Sequence, residues 1–267
     1  MDVRGAVALV TGASRGVGRA IALALADAGA DVACAARATD VSPLKLPGTI
    51  DETVRSIEQR GRHGLAIPTD LSKSDQVEAM VARTISTFGR LDVLVNNAAI
   101  TFPGDLDLEM KRFDLVLAVD LRAPLLAIRA VLPSMRARGG GRIVNVSSAA
   151  ALQYYPGLMA YGMAKVALEH LTVAAAEQLR SAAIAVNTFR IDVPVASEGF
   201  VANTPGHDHS TWEPSEVAAE GIVWMVRQPD GYSGHNESMA ALRAEHGIMD
   251  GGRGTAPMAP GTDLHLG

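Results

Sequence analysis

The chain has 267 residues, 48% hydrophobic and 20% charged, with 24 Lys and Arg against 29 Asp and Glu for a net charge of −5. That balance lacks the basic excess that neutralises phosphates along a nucleic acid, and the single cysteine, Cys34, excludes an internal disulfide and a cysteine-ligated zinc site. No run reaches the ~18 apolar residues of a membrane span, and the first apolar run ends in a glycine-rich turn instead of a cleavage site, so the expectation is a soluble, cytoplasmic protein.

Short apolar runs alternate with amphipathic stretches from the N-terminus onward. The runs at 6–10, 31–35, 64–67, 91–95, 142–147 and 184–189 are rich in Val, Ile, Leu and Ala and bounded by Gly, Pro or Asn, as suits strands buried on both faces. Helical patterns occupy 16–28, 53–60, 75–88, 111–138, 159–180 and 215–228, and Ser72 with Asp75 reads as a capping box opening the third. Strand–helix alternation with right-handed crossovers predicts an α/β fold: a doubly wound parallel sheet of six to seven strands with helices on both faces. Residues 232–238 offer at best a short polar seventh strand. No linker interrupts the pattern, so one domain is expected over 1–249. Two segments break the rhythm: the Pro-rich loop 38–49, and 250–267, whose five Gly and two Pro predict a mobile tail.

The first strand runs into Thr11-Gly12-Ala13-Ser14-Arg15-Gly16-Val17-Gly18 and then a helix. Gly12 permits the sharp turn, Gly16 lets the backbone approach a pyrophosphate, and Gly18 lets the helix pack closely on the sheet, with the anion at the helix N-terminus. Glycines in turns arise by chance; the placement between strand and helix favours a dinucleotide site. The tip of the second strand, Ala35-Ala36-Arg37, carries no acid to accept ribose hydroxyls. Arg37 and Arg15 together offer two guanidinium forks for a 2′-phosphate, which predicts NADP(H); the bland alternative is two ordinary surface arginines.

Tyr161 and Lys165 fall at i and i+4 on a predicted helix and share a face. A phenol titrates near ~10, and a lysine ammonium beside it is expected to lower that value into a useful range for proton transfer. Ser148, thirteen residues earlier and just past a buried strand, points to the same sheet edge, where its hydroxyl can bond an oxygen whose charge changes during hydride transfer. A Tyr-Lys pair alone is more often two exposed polar residues; strand, Ser, Tyr and Lys downstream of the glycine loop form a far rarer pattern.

With these residues in place the sequence resembles the single-domain short-chain dehydrogenases/reductases, with their Rossmann fold. The matching pieces are TGASRGVG at 11–18, Asp70-Leu71, NNAA at 96–99, IVNVSS at 143–148 and YGMAK at 161–165. The insertion KLPGTI at 45–50 is similar to a hydroxysteroid-dehydrogenase-like or terpenoid-alcohol branch. The resemblance implies hydride transfer between a nicotinamide and an alcohol/carbonyl pair. It implies that Asp70 with Leu71 meets the adenine, that Asn97 and Ala98 line the nucleotide, that Val193 lies beside it, and that Lys165 holds the nicotinamide ribose. It also implies a small-molecule substrate and a homodimer or homotetramer, with no nucleic acid and no membrane as partner.

Departures from the family pattern are visible in the sequence. Asp120 stands where the family has an Asn, as fourth member of the catalytic set; its charge would pair with Lys165 and raise the working pH. Ile191-Asp192 replaces Pro-Gly, and Asp192 either selects a cationic or polyhydroxylated substrate or bonds local amides. Ala99 replaces Gly. These departures motivate a rival reading, a nucleotide-binding protein that acts as a sensor or subunit without turnover. The sparse aromatics Phe102, Tyr154, Tyr155, Phe200 and Trp212 cluster near the expected site, which suits a ring or terpene-like carbonyl unless they merely pack loops. His207-Asp208-His209 lacks a third ligand, so no metal is expected.

Overall fold

The structure, a computed structural model, describes residues 1–264. Strands β1 (Val7–Thr11), β2 (Asp31–Ala36), β3 (Gly64–Pro68), β4 (Val93–Asn96), β5 (Gly141–Ser148), β6 (Ile184–Ile191) and β7 (Asn236–Ser238) form one sheet in the order β3-β2-β1-β4-β5-β6-β7. All its pairings are parallel. The order reverses between β1 and β4, and at that switch point an open parallel sheet leaves a crevice at the carboxyl ends of its strands.

The apolar runs become strands because each is covered twice. Ala8, Val10 and Val95 face α1 (Gly16–Asp27) and α8 (Ser215–Arg227), packing with Ile21, Leu25 and Ile222. Val7, Leu9 and Leu94 face the opposite layer of α3 (Ser74–Phe88), α5 (Ala123–Ala137) and α6 (Met159–Leu179), packing with Met80, Val131 and Leu179. Fully burying each such side chain is worth about 1.5–3 kcal/mol.

A buried polar line crosses the sheet. Asn96 Nδ2 donates to Asn145 Oδ1 (2.9 Å), Asn145 Nδ2 donates to Thr172 Oγ1 (2.9 Å), and Thr188 Oγ1 donates to the same hydroxyl (2.8 Å). Thr172 passes its own proton to the Leu168 carbonyl of α6 (3.0 Å). Every group in the line is satisfied, as burial requires.

Two local expectations are corrected. Ser72 does not cap α3: its hydroxyl donates to Asp70 Oδ1 (2.8 Å), and the helix starts after Lys73 without a side-chain cap. A capping box instead opens α2 (Ile50–Glu58), where Thr49 Oγ1 accepts from the Glu52 amide (3.1 Å) and Glu52 Oε2 accepts from the Thr49 amide (3.0 Å). The helix expected at 111–138 is continuous from α4 (Met110–Leu117) to α5 but carries one π-helical turn, Ala118–Arg122.

Beyond α9 (Met239–His246), residues 250–264 run back over the body, and Leu264 is buried. The amides of Arg253 and Thr255 bond the carboxylate of Glu213, which fixes a segment too polar to hold itself. The remainder of the expected tail, 265–267, lies outside the described residues. No helix among the described residues is long and apolar enough to cross a membrane.

Candidate active site

A cavity of about 720 Å³ opens at the switch point, and it is lined by every residue named from sequence as a cofactor or catalytic candidate except Asp120. Its floor is the glycine loop. Gly12 and Gly16 adopt left-handed backbone (φ +70° and +53°), open to glycine at little cost. A Cβ on Gly18 would lie 2.2 Å from the Gly12 carbonyl oxygen and 2.5 Å from Asn97 Nδ2, so the start of α1 meets the strand at a distance only glycine allows. The backbone cradle therefore fits a pyrophosphate at the N-terminus of α1.

Asn97 and Ala98 are held against this loop. Thr11 Oγ1 accepts from both amides (3.0 and 3.1 Å), and Asn97 Nδ2 donates to the Thr11 carbonyl (2.9 Å). Just beyond β3, Asp70 Oδ1 accepts from the Ser72 amide and hydroxyl (3.0 and 2.8 Å). Burial opposes its ionisation, but these bonds and the nearby Arg37 guanidinium outweigh it and hold the carboxyl below its usual range.

The two arginines separate in role. Arg15 is tied into the Pro-rich loop: Nε donates to the Pro47 carbonyl (2.7 Å) and Nη2 to those of Leu46 (2.8 Å) and Gly48 (3.0 Å). Arg37 is exposed at the end of β2 and close enough to Arg15 to repel it.

At the other end β5 delivers Ser148 and α6 delivers Tyr161 and Lys165. Ser148 and Tyr161 share a hydrogen bond. Lys165 Nζ donates to the Val146 carbonyl (2.9 Å) and sits 5.3 Å from the centre of the Tyr161 ring. The expected lowering of the Tyr161 pKa is reversed here: burial and the charge of Asp120 push it up, against the Ser148 hydrogen bond. Burial lowers Lys165, and Asp120 and Glu169 partly restore it.

Asp120 lies behind the cavity wall on the π-helical turn, fully buried. Such a turn adds a residue to the helix and redirects a side chain. Desolvation raises the Asp120 pKa to about 7, opposed by Lys165 and by the Ile100 amide.

A buried ion pair supports this end and was not read from the sequence. Glu169 accepts from Arg190 Nε (2.8 Å) and Nη2 (2.6 Å) and from Ser147 Oγ (2.7 Å). The available signal was spacing, since Glu169 follows Lys165 by one helical turn. Asp192 accepts from the Ala240 amide at the start of α9 (3.0 Å), the local amide bond that was one of its two readings. Phe102, Tyr155 and Phe200 line the cavity. Trp212 stacks on Phe200 at 4.7 Å, while Tyr154 donates outward to Asp105 (2.8 Å). His209 Nε2 lies 2.9 Å from the Thr204 carbonyl, and among the described residues no group of three His, Cys, Asp or Glu could hold a metal ion.

The sheet order and the glycine loop at its switch point are those of the doubly wound dinucleotide-binding class. The family model for short chain dehydrogenases matches residues 6–193, and the chain belongs to that family. It is 31% identical to hydroxysteroid dehydrogenase-like protein 2 of Danio rerio over 92% of this chain and 60% of that protein, so it spans about three-fifths of that relative's length. It is 33% identical to an uncharacterized NAD-dependent oxidoreductase of Mycobacterium tuberculosis, over 88% of this chain and 94% of that one. Among solved structures, a short chain dehydrogenase of Mycobacterium thermoresistibile superposes with a TM-score of 0.84 at 31% identity, covering 99% of this chain and 96% of that one. A metagenomic short-chain oxidoreductase in complex with NADP superposes with a TM-score of 0.74 at 30% identity, covering 89% and 98%.

Proposed function

We propose that this chain is an NADP(H)-dependent carbonyl reductase or alcohol dehydrogenase acting in the cytoplasm on an apolar, cyclic ketone or secondary alcohol. The observation that carries it is the convergence of Ser148, Tyr161 and Lys165 with the glycine loop on one cavity. A nicotinamide seated there supplies the carbon that gives or takes hydride. Ser148 holds the substrate oxygen, Tyr161 gives or takes the proton at that oxygen, and the Lys165 ammonium faces the phenol ring. Phe102, Tyr155 and Phe200 support an apolar substrate, as do the names of the hydroxysteroid dehydrogenase-like relatives.

For the cofactor, Arg37 and the absence of an acid at the end of β2 support NADP(H). A second reading, NAD(H), is favoured by the engagement of Arg15 with loop carbonyls and by the name of the M. tuberculosis relative. For the partner, we infer a second copy of this chain. Met163, Val166 and Val173 leave an apolar stripe at helical spacing on α6, each about half exposed (51%, 51% and 46%).

Fluorescence titration with NADPH and, in parallel, NADH tests the cofactor. Turnover of a panel of cyclic ketones that disappears in Tyr161→Phe, with cofactor binding retained, tests the chemistry; loss of a general acid typically costs ~10²–10⁴-fold. Binding without turnover of any carbonyl would favour the sensor or subunit reading.

A further inference from the structure

The segment after α9 owes its place to one carboxylate. Glu213, 0% exposed, accepts from the Arg253 amide (2.7 Å) and the Thr255 amide (2.9 Å) and pairs with Arg243 Nη1 (2.9 Å). Burial opposes its charge, but the two amides and the guanidinium outweigh it and hold the carboxyl below its usual range. Arg253 Nη1 also donates to the Trp212 carbonyl (2.8 Å). Further along, the Met258 carbonyl accepts from Gln153 Nε2 (3.1 Å) and the Tyr155 hydroxyl (3.3 Å), and the Gly261 amide donates to the Tyr154 carbonyl (3.0 Å).

These bonds carry two apolar side chains of the segment into the wall of the cavity. Leu264 is 1% exposed and packs with Tyr155 and Leu158 in a cluster that also touches Met258, Phe200 and Tyr161. The residue that would move the proton and the far end of the chain thus share one apolar surface. No part of that far end falls within residues 6–193, where the family model matches.

We propose that residues 252–264 form a strap that builds the far wall of the substrate subsite, with Leu264 and Met258 as specificity-determining residues that select apolar ring-shaped alcohols by size. The inference rests on the oxidoreductase reading above. Removing three carbons from a wall position changes discrimination between ring sizes by roughly tenfold or more.

The test uses the full chain with oxidised cofactor and two probes, cyclohexanol and the larger bicyclic 2-decalol. Leu264→Ala is expected to raise kcat/KM for 2-decalol relative to cyclohexanol by roughly tenfold, chiefly through KM, and Leu264→Phe to lower it. Thermal denaturation of each variant beside the wild type serves as the folding control, and cofactor affinity is expected to stay unchanged throughout. An unchanged ratio in both Leu264 variants, with turnover intact, overturns the strap and leaves the oxidoreductase reading standing. If the wild type turns over neither alcohol, that reading fails for this substrate class. The strap is then judged by quenching of tryptophan fluorescence as 2-decalol binds: a tighter Kd in Leu264→Ala supports it, and equal Kd values overturn it.

Discussion

Asp120 accepts a hydrogen bond from the Ile100 amide at 2.9 Å with one carboxylate oxygen, and its other oxygen, buried, has no hydrogen-bond partner. The Lys165 ammonium opposes the desolvation of this carboxyl without cancelling it. When Asp120 ionises, its charge faces the ammonium that would otherwise act on Tyr161 alone, and it holds the phenol up. Asp120→Asn is therefore expected to move the basic limb of the pH–rate profile to lower pH. The check is kcat/KM across the neutral-to-alkaline range; a superimposable profile would remove Asp120 from the proton balance of the site.

The same residue makes a stability prediction with a definite sign. Its folded pKa of about 7 lies above the ordinary 3.8, so between those values the folded chain binds more protons than the unfolded one. The stability contribution is full below the lower value and is lost as pH rises through the upper one. Asp120→Asn escapes that loss. Its Tm relative to wild type is expected to rise between about pH 5 and about pH 8; a constant difference would contradict the assignment.

The separation of Arg15 from Arg37 gives distinguishable phenotypes. Arg37→Ala is expected to reduce preference for NADPH over NADH by roughly 10–100-fold, the worth of a charge-assisted bond to phosphate. Arg15→Ala loses three bonds to the 46–48 carbonyls and is expected to weaken both cofactors together. Parallel titrations of the two variants decide it. A retained NADPH preference in Arg37→Ala would remove Arg37 as the residue that reads the 2′-phosphate, and a wild type that prefers NADH would turn the assignment to NAD(H).

Gly18→Ala puts a methyl 2.2 Å from a backbone oxygen, where no rotamer change can help. Shifting α1 against β1 is expected to cost about 1–3 kcal/mol and to abolish cofactor binding. Thermal denaturation with and without NADPH measures both, and a variant with wild-type affinity would show that the close approach is not needed.

For the partner, Val166→Glu places a charge in the middle of the exposed α6 stripe without entering the core. Light scattering is expected to report a monomer for the variant and a dimer or larger assembly for the wild type; monomers in both cases would leave the stripe unassigned to self-association.

The strands were legible because burial on both faces removes the polar alternation that would blur them: Val7–Thr11 carries no exposed position. The glycine loop and Ser148, Tyr161 and Lys165 were legible because backbone approach and proton transfer admit few residue types at fixed spacing. What failed was decided by competition at a distance. Ser72 looked like a cap, but Asp70 takes its hydroxyl; Thr49 was an unremarked cap inside a Pro-rich loop. The Tyr161 shift follows from burial and from Asp120, neither visible in the five residues from Tyr161 to Lys165. The strap depends on Glu213, forty residues earlier than Arg253, and leaves no local periodicity.

The buried line from Asn96 through Asn145 to Thr172 and Thr188 acts as an index mark for assembly. Slipping β5 by one residue against its neighbours would turn these amides and hydroxyls away from one another, leaving each uncompensated at about 1–3 kcal/mol. Apolar side chains of similar size would fill the same space yet tolerate the slip. In the register observed, Asn145 lies opposite Thr188, and three residues on Ser148 lies opposite Ile191 at the lip of the crevice. The height at which the serine hydroxyl meets an incoming oxygen is thus set three strand positions deeper, by groups that never touch a ligand.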